Sequence, residues 1–355
     1  MPEFEHTTLG QRVIFGSGKA VDNLRTEITR LGAHSVMVVC SDTEQPFVQE
    51  VSRVIGPALR YTDVAQHVPV EKAEKARAAA RERGIDLIVS IGGGSTTGLA
   101  KAIALTTGLP IISIPTTYSG SEATNVWGIT DAGRKTTGTD DRVLPVTVIY
   151  DAELVLSLPA DLSAASGFNA LAHSIDALWA PRADPINRVL AVEAIRALAS
   201  GLPMIKANPA ESDGHERCLY GAYLSAVAFA SAGSGIHHKI CHVLGGAYSL
   251  PHAQTHAVVL PHVLAFNAPA APDAESRIAQ ALRASSALDG LRALQSTLDT
   301  PIALRDFGFR RSDIHDAVNL IIPVIPSNNP RPVTRESLVE LLSAAWSGTP
   351  PKVEC

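Results

Sequence analysis

Six of the twelve histidines, His237, His238, His242, His252, His256 and His262, fall within 26 consecutive residues of this 355-residue chain. Neutral imidazoles can bind a metal ion, and near pH 7 one can also deliver a proton. His238 and His242 stand four residues apart and would share a helix face, as would Asn169 and His173 further upstream. With His252, these two pairs can converge on one site. His237 would face away from His238 and reads as structural. His262, between a proline and the apolar VLAF, reads equally as a capped or core histidine. His6, His34, His67, His215 and His315 are isolated and expected in water.

The second constellation is Ser90-Ile91-Gly92-Gly93-Gly94-Ser95, between a strand-like run and a helix-like run reaching about Leu105. Small residues there let the backbone approach a diphosphate, and a helix N-terminus offers free N–H groups and positive potential. A tight strand–helix turn would use the same residues, and the stretch is neither G-x-G-x-x-G nor a P-loop. Pro115-Thr116-Thr117-Tyr118-Ser119-Gly120-Ser121-Glu122 follows another strand, and Asp42, closing an earlier one, can accept hydrogen bonds from a ribose. Open parallel sheets bind ligands beyond their carboxyl ends, so three such ends point to a dinucleotide.

The elements that must position these residues divide at about residue 158. Residues 1–158 read as α/β: strands at 36–40, 86–91, 111–114 and 146–150, with a helix at 71–84 ending on a glycine. Continuous apolar strands between helices imply a parallel sheet covered on both faces. Residues 159–355 are Ala/Leu-rich with helical periodicity, including patterns at 274–298, 312–321 and 334–346, and read as all-helical.

Composition narrows the function classes. Hydrophobic residues make up 46% and charged residues 18%, which fits a compact chain and excludes disorder. A net charge of −5 without a basic block argues against nucleic acid. No apolar run reaches the ~18 residues of a membrane span, and MPEFEHTTLGQRV lacks the pattern of a signal peptide. The four cysteines (Cys40, Cys218, Cys241, Cys355) are scattered, as in a reduced cytoplasmic protein.

In order along nearly the whole chain, VIFGSGKAVDNL, IGGGSTTGLAKAIA, IPTTYSGSEAT, VIYDAELVLSLP, GFNALAHSIDALWA, GIHHKICHVLGG and LPHAQTHAVVLPHV resemble the iron-containing, group III alcohol dehydrogenase superfamily. GGGSTTGLAKAIAL, IPTTYSGSEATNVWGIT, HHKICHVLGG and NPRPVTRESLVELLSAAWSGTP resemble its maleylacetate reductase group. The resemblance implies a Rossmann-like α/β domain and an all-α domain of the dehydroquinate synthase-like kind, with the active site in the cleft between them. It implies reduction of the C=C bond of maleylacetate to 3-oxoadipate by NADH, in aromatic or chloroaromatic degradation. NADPH would be tolerated, although Asp42 would repel its 2′-phosphate.

Laid on this chain, the family's metal ligands are Asn169, His173, His238 and His252. Asn169 replaces a carboxylate, which implies a vestigial site with no metal required; a three-histidine zinc remnant stays open. Two further departures are Gly98, where the metal enzymes carry Asp, and a shorter loop containing Tyr118. The resemblance then implies His242 or His252 as proton donor, with His238 and His173 polarising the ketone. Gly93, Gly94 and Ser95 would hold the diphosphate; Thr116, Thr117, Tyr118 and Lys135 would lie by the ribose and nicotinamide. Asn169, Lys239 and, more weakly, Arg331 would meet the dicarboxylate substrate. A cytoplasmic homodimer is expected. The alternatives are a metal-dependent (iron or zinc) alcohol or polyol dehydrogenase and a non-catalytic nucleotide sensor.

Overall fold

The structure, a computed structural model, describes residues 3–56, 58–131 and 134–351, without the side chains of Gln45, Arg134 and Lys135. The cofactor role expected of Lys135 therefore lies outside the described residues, as does Cys355. The chain forms two compact units. One is Leu9–Leu158; the other joins the described residues before Leu9 to those from Pro159 onward. That assignment corrects the expectation that the first residues belong to the α/β domain. His6 explains it. Its Nδ1 lies 2.8 Å from Asp184 Oδ2 and 3.3 Å from Ser231 Oγ, so it is a half-buried tie and not an isolated solvated residue.

The α/β unit contains β1 (Arg12–Phe15), α1 (Ala20–Leu31), β2 (Val36–Cys40), α2 (Gln45–Ile55), β3 (Leu59–Tyr61), α3 (Val70–Glu82), β4 (Leu87–Gly92), α4 (Gly94–Thr107), β5 (Ile111–Pro115), β6 (Val126–Asp131), β7 (Arg134–Thr139) and β8 (Thr147–Tyr150). Six strands form one sheet in the order β1-β8-β5-β4-β2-β3, every pair parallel. Side chains alternate across it. Val36 and Val38 of β2 pack with α1 and α2 through Leu24 and Val51, while Met37 and Val39 pack with α3 and α4 through Ala76 and Ile103. The edge strands β1 and β3 and the antiparallel hairpin β6–β7 were not expected from the sequence. RVIF and LRY are too short to stand out as apolar runs, and the hairpin stands outside the main sheet.

Asp151, within the VIYDAE stretch, is an anchor. Its carboxylate accepts the N–H groups of Gly18 (2.8 Å), Lys19 (3.0 Å) and Ala20 (2.9 Å), satisfying the first turn of α1.

The helical unit runs through α5 (Ala160–Ala177), α6 (Pro185–Ala207), α7 (Ser212–Ala232), α8 (Ile236–Tyr248), α9 (His252–Asn267), α10 (Pro272–Leu282), α11 (Ala287–Leu298), α12 (Ile314–Ile321) and α13 (Arg335–Ser347). Ile236, Ile240 and Leu244 of α8 pack with Val258, Val259 and Val263 of α9, and this core continues to Val318 and Leu342. Asn169, His173 and Asp176 of α5 are buried on one face, four and three residues apart. His215 is buried too, contrary to expectation, because its Nε2 meets Pro209 O at 2.9 Å. Among the described residues no single helix is long and apolar enough to cross a membrane.

Candidate active site

Nucleotide chemistry gathers where the sheet order reverses. From β2 the chain moves outward to β3; from β4 it moves the other way through β5 to β8. Such a switch point opens a crevice at the carboxyl ends of the strands. Gly93 precedes the first turn of α4, and Gly93, Gly94 and Ser95 are half-buried. A Cβ on Gly93 would stand 2.9 Å from Thr117 Cγ2, so the loop after β5 closes onto the start of α4 only because that Cβ is missing. Thr116 N donates to Gly92 O at 3.2 Å, joining the two loops. A Cβ on Gly98 would lie 2.9 Å from Val68 Cγ2, so a larger residue there would have to displace that side chain.

Two expectations change here. The Tyr118 ring is fully buried, so it is core and offers no face to a ribose. Asp42 is 82% exposed and lies 3.7 Å from Arg60 Nη2. The acid held at the switch point is Glu44, which the sequence reading missed. It accepts from Ser41 N at 3.1 Å and from Ser41 Oγ, and Thr116 Oγ1 donates to it at 3.4 Å. Only the fold brings residues 41, 44 and 116 together.

Two charged groups nearby are structural. Lys101 of α4 is buried and donates to Thr124 O (2.8 Å), Thr124 Oγ1 (3.0 Å) and Val126 O (2.8 Å), pinning the hairpin to the helix. Burial pulls its pKa down to about 7, against the pull of Glu122. Glu122, also buried, takes the Tyr150 hydroxyl at 2.8 Å.

In the helical unit, α5, α8 and α9 assemble the histidines. His173 and His238 lie nearly parallel, centroids 4.8 Å apart, with Phe229 packed at 4.8 and 4.4 Å from them. His256, given no role from sequence, is central: its ring lies 4.8 Å from His237, 5.0 Å from His238 and 4.4 Å from His252. His237 belongs to the same array, its Nε2 2.9 Å from His256 Nδ1 and 3.6 Å from Cys241 Sγ. His173, His237, His238 and His256 are buried, whereas His242 is half-buried and His252 exposed, their centroids 6.4 Å apart. Asn169 is buried one turn before His173, and Lys239 is half-buried on α8. Arg331 stands over the Phe266 ring at 4.6 Å. His262 is buried on α9.

Burial pulls the pKa of His173 down to about 4 and that of His237 to about 3, the latter helped by His173 and His252. His238 and His256 are pulled far down for the same reason. These four rings are neutral near pH 7.

Asp176 is the residue that sequence reasoning missed most. Its buried carboxylate lies 2.8 Å from His238 Nδ1 and accepts from Gly235 N (2.9 Å), His238 N (3.4 Å) and Trp179 Nε1 (3.2 Å). Burial raises its pKa to about 6, opposed by those donors, so it is a carboxylate at pH 7. It also sits at the N-terminus of α8, where helix dipoles favour negative charge. Among the described residues the other ring nitrogen, His238 Nε2, has no hydrogen-bond partner.

Among the described residues, ligand atoms of His237, Cys241 and His256 approach one another within 4.8 Å. That trio reads as hydrogen-bonded. Two imidazoles on one tetrahedral ion would hold their nitrogens about 3.3 Å apart at Zn–N bonds of about 2.0–2.1 Å. Here the separation is 2.9 Å, and burial pushes the Cys241 thiol far up, keeping its proton.

Family models for iron-containing alcohol dehydrogenase match residues 10–152, and for the Fe-containing alcohol dehydrogenase family, C-terminal, residues 163–346. The chain is similar to a maleylacetate reductase of Sphingobium indicum, 42% identical over 98% of this chain and 99% of that one. The crystal structure of an iron-containing alcohol dehydrogenase from Corynebacterium glutamicum superposes with a TM-score of 0.96 at 57% identity, covering 98% of each chain. That of a maleylacetate reductase from Rhizobium sp. gives 0.93 at 40% identity, covering 99% of this chain and all of the other.

Proposed function

The chain belongs to the iron-containing alcohol dehydrogenase family as an NAD(P)-dependent oxidoreductase, and we propose that it is a maleylacetate reductase preferring NADH and working without a catalytic metal. The observation that carries the metal-free reading is Asn169, a neutral amide where the family's metal enzymes use a carboxylate, beside two accessible imidazoles, His242 and His252. Full-length likeness to maleylacetate reductases supports the substrate.

Gly93, Gly94 and Ser95 would receive the diphosphate at the start of α4, and Glu44 a ribose hydroxyl. When bound, the reduced nicotinamide supplies a hydride to the alkene carbon β to the substrate's ketone. The resulting enolate needs hydrogen-bond donors and then one proton on its α-carbon. His242 and His252 are the accessible histidines, and one of them gives that proton. Neutral His173 keeps one N–H that can meet the enolate oxygen, a contact of the kind typically worth a few kcal/mol. The overall balance is one hydride and one proton added across C=C. Lys239 and Asn169 are the candidates for the substrate carboxylates.

The Corynebacterium enzyme, named for iron, favours the second reading, a metal-dependent alcohol dehydrogenase. One assay separates them: NADH oxidation with fresh maleylacetate by chelator-treated protein. Rapid turnover is the expected result. Turnover recovered only with added iron or zinc would favour a metal-dependent enzyme. No turnover with any metal, but oxidation of simple alcohols, would overturn the substrate assignment.

A further inference from the structure

The role of Asp176 goes beyond the reductase reading and deepens it. The carboxylate is fully buried on α5, yet four of its contacts come from across a gap of 59 or more residues or from the next turn: Gly235 N, His238 N, His238 Nδ1 and Trp179 Nε1. The backbone has been cleared for it. A Cβ on Gly235 would lie 2.3 Å from Asp176 Oδ1, so only glycine lets α8 begin there. The result is a buried Asp–His pair in which one nitrogen of His238 is committed and the other, Nε2, has no hydrogen-bond partner among the described residues, the ring stacking on His173 and lying 5.0 Å from that of His256.

We infer that Asp176 is a positioning residue that fixes His238 as the Nδ1–H tautomer, making His238 a hydrogen-bond acceptor in the site and leaving proton donation to its neighbours on α8 and α9. Carboxylate partners of active-site histidines act in this way elsewhere: they select the tautomer and hold the ring. In this chain the consequence is a division of labour. His238 accepts, while proton donation falls to His242, whose ring stands 6.0 Å from it, and to His252. The effect on turnover rests on the reductase reading; the tautomer itself does not.

The test is 15N NMR of histidine-labelled protein at neutral pH, with His238 assigned by the signals lost in His238→Gln. The wild type should show a protonated Nδ1 and an unprotonated Nε2 at His238. Asp176→Asn can donate from its amide, and should turn His238 to the Nε2–H tautomer. Its kcat should fall roughly 10- to 100-fold, the usual effect of losing such a partner, while the Kd for NADH stays within twofold. A purely structural Asp176 would not move the tautomer. An Nε2–H signal at His238 in the wild type overturns the proposal without any need for the variant to fold. An unchanged tautomer in folded Asp176→Asn overturns it as well. A switched tautomer with unchanged kcat keeps the assignment of the pair but removes its part in the reaction, which overturns the positioning role.

Discussion

His237 Nε2 on α8 and His256 Nδ1 on α9 share one hydrogen bond of 2.9 Å, and both rings are buried. A single proton lies between them, and protonating either ring would place an imidazolium where no water reaches.

Stability should therefore fall in mild acid. Folded pKa values of about 4 for His173, about 3 for His237 and about 4 for His262 lie below the ordinary 6.5, and His238 and His256 shift the same way. Between those values the unfolded chain binds more protons, so stability is lost as pH drops from 6.5 toward 4. Asp176, raised to about 6 from 3.8, opposes this by at most one proton. Urea unfolding should show an uptake of at least two protons near pH 5.5, about 3 kcal/mol per pH unit. A flat profile between pH 6 and 5 would refute the buried neutral array.

Gly93→Ala should weaken NADH binding. The new Cβ meets Thr117 Cγ2 at 2.9 Å and forces the two loops apart. A rise in Kd of about tenfold, or about 1.4 kcal/mol, is expected by fluorescence titration. Adding Thr117→Ser, which deletes Cγ2, should recover part of it. An unchanged Kd would mean that this end of α4 does not hold the cofactor.

Glu44, rather than Asp42, should set coenzyme preference. Glu44 is fixed by Ser41 and Thr116, whereas Asp42 is exposed, faces Arg60 and is screened by water. Glu44→Gln should raise the ratio of kcat/KM for NADPH over NADH about tenfold (~1.4 kcal/mol). Asp42→Asn should change it less than about twofold, as expected of an exposed charge. The reverse ranking would restore Asp42 to that role.

His242→Ala or His252→Ala should lower kcat by roughly 10²- to 10⁴-fold, the usual contribution of a positioned proton donor. Stopped-flow and steady-state assays with both variants would identify the donor. Near-normal turnover in each would remove both from the chemistry.

Much of this was legible along the chain. Runs such as VMVVC and DLIVSI, buried on both faces, mark central parallel strands, and the glycines after the second mark a strand-to-helix turn. Residues four apart share a helix face, as Asn169 and His173 do on α5 and His238 and His242 on α8. Edge strands such as LRY left too few residues to read. Tyr118 sat in a polar loop yet points inward, since its neighbours gave no sign of which way the chain turns.

The sequence by itself determined the order of elements, the strand ends that carry the glycine and threonine loops, and the concentration of imidazoles on two helices. Those are properties of local runs, set by side-chain period and backbone preference. Only the tertiary structure decided that Glu44 meets Thr116, that His237 meets His256, and that Asp176 meets His238, 62 residues away. Hydrogen bonds of this kind depend on ångström-scale approach between distant elements. Burial of the elements so joined is also what pulls the pKa values of four histidines down and keeps those rings neutral.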